Sequence, residues 1–169
     1  MTGLCQIRAM TEADLPQVLA WRNHPDIRRF MLTQHEISLR EHRRWYAQAH
    51  GDATRRLLIV EHADQALGFV QFNRVAPGGS ADWGFYAAPD AARGSGQKLG
   101  RTALAYAFQT LQLQKVCGQA LAFNQASIRF HLGLGFVQEQ RLPAQHRSGQ
   151  TPHDLLIFGL QPPPSKAPS

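Results

Sequence analysis

The spacing of apolar residues switches repeatedly between periods near 3.6 and near 2, and the switches divide the chain into short elements. Residues 6–10 read as a short first strand. Thr11-Glu12-Ala13-Asp14 has the form of a helix start, with Thr11 as N-cap and Asp14 reaching back three residues later. Leu15, Val18, Leu19 and Arg22 then recur at helical spacing. Asn23-His24-Pro25 stops or bends that helix, and Pro25 suits the first turn of a second, short one. Ser38-Leu39-Arg40-Glu41 is another capping signature and opens a helix running through Trp45 to about residue 49.

The middle of the chain reads as strands. Residues 56–61 and 67–73 are apolar runs joined by the hairpin turn Ala63-Asp64-Gln65, and Ala76-Pro77-Gly78-Gly79 turns into a third run at 81–86. A helical pattern follows at 99–111, a strand at 115–123, and a helix at 127–134 that Gly135 ends. Two last strands, 136–141 and 154–159, flank a polar loop. The order β-α-α-α-β-β-β-α-β-α-β-β predicts an α/β (α+β) fold with a mixed sheet and flanking helices in one domain, residues 1–160. The proline-rich tail, 161–169, is expected to stay disordered.

Composition narrows the classes. A chain of 169 residues with 43% hydrophobic and 18% charged residues is that of an ordinary globular domain. No apolar run approaches the roughly 20 residues that span a bilayer, so no membrane role is expected. The N-terminus lacks a basic segment followed by an apolar one, and Cys5 and Cys117 are too few for a disulfide framework or zinc site. A cytoplasmic location and no metal are therefore expected. The net charge of +6 comes from short scattered groups such as Arg28-Arg29 and Arg43-Arg44. Anionic small molecules are favoured over nucleic acid, with a solvated basic surface as the plain alternative.

The chemistry concentrates in Arg93-Gly94-Ser95-Gly96-Gln97-Lys98-Leu99-Gly100, between a strand and a helix. A glycine-rich turn there exposes backbone N–H groups at the positive end of a helix dipole, which suits a pyrophosphate; a plain tight turn is the other reading. It lacks the surroundings of a dinucleotide fold and the Gly-Lys-Ser/Thr ending of a P-loop. After the next strand comes Asn124-Gln125-Ala126-Ser127-Ile128-Arg129-Phe130-His131-Leu132-Gly133-Leu134-Gly135-Phe136.

Together these segments resemble the GCN5-related N-acetyltransferase superfamily over about residues 4–160. Lys98 stands where that family usually has Gly or Ala. The resemblance implies a central, mostly antiparallel sheet of about seven strands, splayed between 81–86 and 115–123 to admit acetyl-CoA. It implies that the 93–100 loop cradles the pyrophosphate. The pantetheine arm would pair with the backbone of Phe85, Tyr86 and Ala87 beside Asn124, Ser127 and Phe130. On local grounds Asn124 is equally a helix N-cap. His131 occupies the place of the family's tyrosine acid, and is either a proton donor to the CoA thiolate or a half-buried helix residue. The base that frees the amine is open among Asp82, Glu61 and His62, and Asp82 is as well explained as a solvated strand-start residue.

Trp21-Arg22-Asn23-His24-Pro25, with Arg28, Met31 and His35 downstream, groups side chains that stack on rings and grip phosphates; Trp21, Phe30 and Trp45 also fit the core of amphipathic helices. This block, His35-Glu36-Ile37-Ser38, Asp82-Trp83-Gly84-Phe85-Tyr86 and the Asn-x-x-Ser-Ile segment resemble one branch, the N-acetyltransferases of pseudaminic acid biosynthesis. That resemblance implies acetylation of the 4-amino group of UDP-4-amino-4,6-dideoxy-N-acetyl-β-L-altrosamine by direct amine attack, in a monomer or homodimer. Two rivals stand beside it: a protein N-terminal or aminoglycoside acetyltransferase, and a non-catalytic acetyl-CoA-binding module.

Overall fold

The computed structural model describes residues 5–31, 35–148 and 151–163. Among these, seven strands form one sheet: β1 (Gln6–Ala9), β2 (Arg56–His62), β3 (Gln65–Asn73), β4 (Ser80–Ala87), β5 (Lys115–Leu121), β6 (Val137–Ser148) and β7 (Thr151–Leu160). Their order is β1-β2-β3-β4-β5-β7-β6. Every neighbouring pair is antiparallel except β4 and β5. The helices are α1 (Leu15–Asn23), α2 (Pro25–Arg28), α3 (Leu39–His50), α4 (Ser95–Ala105) and α5 (Gln125–Gly133). None of the described helices is long and apolar enough to cross a membrane.

The strands at 56–62 and 65–73 carry apolar runs because both their faces are covered. Leu58, Val60, Val70 and Phe72 face one core with Leu99, Ala103 and Leu104 of α4. Leu57, Ile59 and Phe69 face a second core with Leu15, Val18 and Trp21 of α1 and Tyr46 and Ala49 of α3. Capping fixes the helix ends locally. Ser38 Oγ accepts from the Glu41 N–H, and the Asp14 carboxylate accepts from the Thr11 N–H at 2.8 Å. Asp14 is also bound by both terminal nitrogens of Arg8 at 2.8 Å, which holds its carboxyl below the usual range.

The feature that positions the site is a gap in the sheet. Strands β4 and β5 pair only from Ser80–Lys115 to Asp82–Cys117. Beyond that, β4 stays with β3 up to Ala87 and β5 stays with β7 up to Leu121, so the two strands diverge as a V. Trp83, the first residue past the last pair, lies across β5 at Gly118. A Cβ on Gly118 would sit 2.7 Å from Trp83 Nε1 and 2.6 Å from His131 Nε2. The expected splayed sheet is therefore present, with a glycine accepting the two rings at its apex.

Several boundaries differ from the sequence reading. Helix α4 starts at Ser95 rather than 99, because Gly94, with φ of 89°, already turns the chain into it; the α-helix ends at Ala105 and continues as a π-turn to Thr110. Residues Gly96 to Gly100 thus belong to a helix, not a loop. The polar loop expected between the last strands is instead a strand hairpin reaching Ser148 and resuming at Thr151. Pro143 suggests a loop, but β6 is an edge strand whose pairing with β7 shifts register between Leu142 and His146, and an edge tolerates proline. The tail expectation bears mainly on residues 164–169, which lie outside the described residues.

Candidate functional site

The V opens into a cavity of about 690 Å³. One wall is the free edge of β4, Trp83 to Ala87, whose pairing with β5 has ended. The opposite wall is Gln119 to Leu121 of β5 with Asn124, the N-cap of α5, and Ser127, Phe130 and His131 along that helix. Gly96 and Leu99 of α4 close one end, and Arg22, Ile27, Phe30 and Met31 from the α1–α2 region border the other.

At the α4 end, backbone donors converge. The Ser95 N–H is taken by the Ala92 carbonyl at 3.0 Å and that of Lys98 by Gly94 at 3.3 Å. The N–H groups of Gly96 and Gln97, at the second and third helix positions, have no partner among the described residues. Two free donors on the dipole axis of an 11-residue helix fit an anion such as a pyrophosphate. Arg93 is exposed beside them. This narrows the sequence expectation for 93–100, since each of the other residues has a different use. Leu99 is a core residue that also borders the cavity. A Cβ on Gly100 would come within 2.7 Å of Leu134 and 2.9 Å of Phe130, so this glycine serves α4–α5 packing. Lys98 lines a separate groove with Arg101, Cys5, Ile7 and His62.

The two faces of β4 have different neighbours, as strand alternation requires. Phe85 packs against Phe130 with ring centroids 4.8 Å apart. Tyr86 faces the other way, onto Phe69 at 5.3 Å, and its hydroxyl bonds to the Arg22 side chain. Burial pushes the Tyr86 hydroxyl's pKa up, and Arg22 opposes that shift. Asn124 caps α5, its side-chain oxygen accepting from the Ser127 N–H at 3.1 Å, while also bordering the cavity.

His131 is 1% exposed and both its ring nitrogens are engaged. The Trp83 indole can only donate, so His131 Nε2, 3.1 Å away, is an unprotonated acceptor. Nδ1 then carries the proton and donates to the Ser127 carbonyl at 2.8 Å. Burial pushes the imidazole pKa below its ordinary value. The ring is neutral, stacked on Phe158 with centroids 4.9 Å apart, and has no free N–H to offer a leaving thiolate. Of the three residues considered as base, only Asp82 borders the cavity. Its Oδ2 is held by Arg74, whose Nε lies at 2.7 Å. Glu61 pairs with Arg8 at the β1 side, and His62 lines the separate groove.

The N-terminal block divides. Arg22 and Met31 border the cavity. Trp21 is 6% exposed within the second core, so the stacking role gives way to packing. Asn23 spends its amide on the backbone of Ile37, donating to the carbonyl and accepting from the N–H, each at 2.8 Å. It is a clamp between α1 and the chain entering α3. His24 Nδ1 caps α2 by accepting from the Asp26 N–H at 3.1 Å. Arg28 lies 3.7 Å from Glu36 and His35 3.0 Å from Glu41, both outside the cavity lining. Sequence reasoning missed Gln71 and Asn73, which border the cavity from β3. Their signal was present: they are polar interruptions two residues apart in an otherwise apolar strand, hence on one face.

Residues 5–137 match the family described as acetyltransferase (GNAT) domain. The acetyltransferase PseH of Campylobacter jejuni is 29% identical over 131 residues, covering 78% of this chain and 82% of that protein; a second strain's PseH is 28% identical over the same length. Among solved structures, the spermidine N-acetyltransferase of Vibrio cholerae in complex with CoA and spermine superposes with a TM-score of 0.85 at 22% identity, covering 93% of this chain and 95% of that one. A structure described as a putative phosphinothricin N-acetyltransferase gives 0.78 at 20% identity, covering 93% and 98%. At these identities the structural likenesses speak to the fold.

Proposed function

This chain belongs to the GNAT acetyltransferase family and is an acetyl-CoA-dependent N-acetyltransferase; on that premise we propose that its acceptor is the 4-amino group of a UDP-linked amino-dideoxy sugar, UDP-4-amino-4,6-dideoxy-N-acetyl-β-L-altrosamine, on the route to pseudaminic acid. The observation that carries this reading is the similarity to PseH along 131 residues. The reaction needs no metal from the chain, and the work falls to the cytoplasm in this reading.

The residues present suit the coenzyme. Gly96 and Gln97 N–H groups, with Arg93 nearby, would hold the pyrophosphate, and the unpaired edge of β4 from Phe85 to Ala87 would hold the pantetheine amides. When bound, acetyl-CoA supplies an acetyl group activated as a thioester. A backbone N–H on that β4 edge would stabilise negative charge growing on the thioester carbonyl oxygen. Asp82, with one oxygen fixed by Arg74, would use the other to take a proton from the acceptor's ammonium, freeing the neutral amine to attack the thioester. His131 does not act as the acid in this scheme. It is a pillar that, with Trp83, keeps the V open.

Thiol release from acetyl-CoA tests the acceptor, using UDP-4-amino sugars, a peptide set, an aminoglycoside and spermidine. Turnover confined to the UDP-4-amino sugars is expected. Turnover confined to any other class overturns the acceptor while leaving the family intact.

A further inference from the structure

On the face of the sheet toward the acceptor end of the cavity, β3 and β4 place three cross-strand pairs in a row: Phe69–Tyr86, Gln71–Gly84 and Asn73–Asp82. The first is covered by the second core. The other two border the cavity. Behind them Arg55, just before β2, reaches both amides. Its Nε donates to Asn73 Oδ1 at 2.8 Å and its Nη2 to Gln71 Oε1 at 3.0 Å.

A guanidinium has only donors, so it turns both amide oxygens toward itself. Each NH₂ group is thereby turned away from Arg55. The Gln71 nitrogen lies over Gly84, where a Cβ would meet it at 3.4 Å; the missing side chain leaves the amide room on the strand that carries the coenzyme edge. We infer that Gln71 and Asn73, oriented by Arg55, form a donor patch in the cavity that recognises an oxygen acceptor on the substrate, a carbonyl or hydroxyl near the reacting amine. The patch disfavours a second ammonium, because an ammonium needs acceptors and meets donors with a guanidinium behind them. The acidic side chains bordering the same cavity do not reverse this: Asp82 has one oxygen on Arg74 and the other assigned above to the reacting amine, leaving none for a second ammonium, and Asp26 lies on α2 beside His24. The inference deepens the acceptor reading above and rests on it for the nucleotide sugar. Its own content is the chemical class: an amine carrying neutral oxygen acceptors rather than a polyamine.

The test is acceptor KM and kcat by thiol release for wild type, Gln71→Glu, Asn73→Asp, Arg55→Met and Arg55→Lys, with melting curves for each. Gln71→Glu keeps the shape and exchanges the donor for an acceptor. It is expected to raise the KM for the 2-acetamido-4-amino UDP-sugar about tenfold, about 1.4 kcal/mol, with kcat within about threefold. The KM for acetyl-CoA should not move, and spermidine should become a better substrate. Arg55→Met should raise the same KM, because the amides lose what orients them, and Arg55→Lys should recover part of it. The inference is overturned if UDP-sugars are turned over with a KM that stays within twofold of wild type in folded Gln71→Glu and Asn73→Asp; the acceptor reading then survives alone. It is also overturned if wild type uses spermidine as efficiently as the sugar. Conversely, if wild type prefers a peptide N-terminus and Gln71→Glu raises that KM, the nucleotide-sugar reading falls and the donor patch stands.

Discussion

Replacing His131 by Phe separates a structural from a catalytic histidine, and the structure sets the size of each outcome. Phenylalanine keeps an aromatic ring against Phe158 and Phe136 but cannot accept from the Trp83 indole N–H, now 3.1 Å from Nε2. That donor is then buried and unsatisfied, which costs about 1–3 kcal/mol. The Ser127 carbonyl loses one donor but keeps its helical partner. The added ring atoms also press toward Gly118, whose close approach to the imidazole leaves no slack. For a chain of this length, each kcal/mol lowers the melting temperature by about 2–4 °C. A fall of roughly 2–12 °C is expected, measured by thermal unfolding monitored by circular dichroism. At a temperature where the variant is folded, kcat by thiol release should stay within about threefold of wild type. His131→Gln, whose side-chain oxygen can again accept from the indole, should recover part of the lost stability. A general acid contributes about 10²–10⁴ in rate. A drop of a hundredfold or more in kcat, in a variant that melts like wild type, would refute the pillar assignment and restore the acid role.

Three further outcomes follow from the same geometry. Gly118→Ala forces a methyl group to within 2.7 Å of two rings locked together by a hydrogen bond, and should destabilise by about 1–3 kcal/mol and weaken acetyl-CoA binding, checked by melting and calorimetry; an unchanged melting temperature would contradict the packing at the apex. Gly94→Ala places a Cβ at φ of 89°, a strain of about 1–2 kcal/mol, and should raise the KM for acetyl-CoA more than that for the acceptor, because it misaligns the first turn of α4. The third concerns pH. Burial lowers the pKa of His42 and of His131 in the folded protein, while unfolded imidazoles titrate near about 6.5. Below that value the unfolded chain binds protons that the folded one refuses, so stability should be flat above it and fall as pH drops toward 5, before the carboxylates titrate. Denaturant unfolding at a series of pH values checks this, and His42→Gln should reduce the slope; a midpoint constant from pH 7.5 to 5 would contradict the buried neutral state of both rings.

Much of this protein is determined by residues close together in the chain. The helix starts at Ser38 and Thr11, the break at Asn23-His24-Pro25 and the left-handed turn at Gly94 are decided by side chains bonding their own backbone or by the torsions a residue tolerates. The apolar runs of β2 and β3 announced strands, and the paired motifs at 93–100 and 124–136 carried the family. Tertiary structure decided what those residues meet. Trp83 and His131 are 48 positions apart, and Arg55 is 16 and 18 from Gln71 and Asn73. Whether an imidazole faces a thiolate or an indole, and which way an amide turns, depends on register across strands and on how early β4 leaves β5. Trp21 and Asn23 show the same limit: a ring and an amide suited to a ligand are equally suited to a core and to the Ile37 backbone. Composition and periodicity specify which groups are available and which face they occupy. The partners that settle their protonation and direction come from other strands and helices, and only packing brings them within the 3 Å at which hydrogen bonds choose.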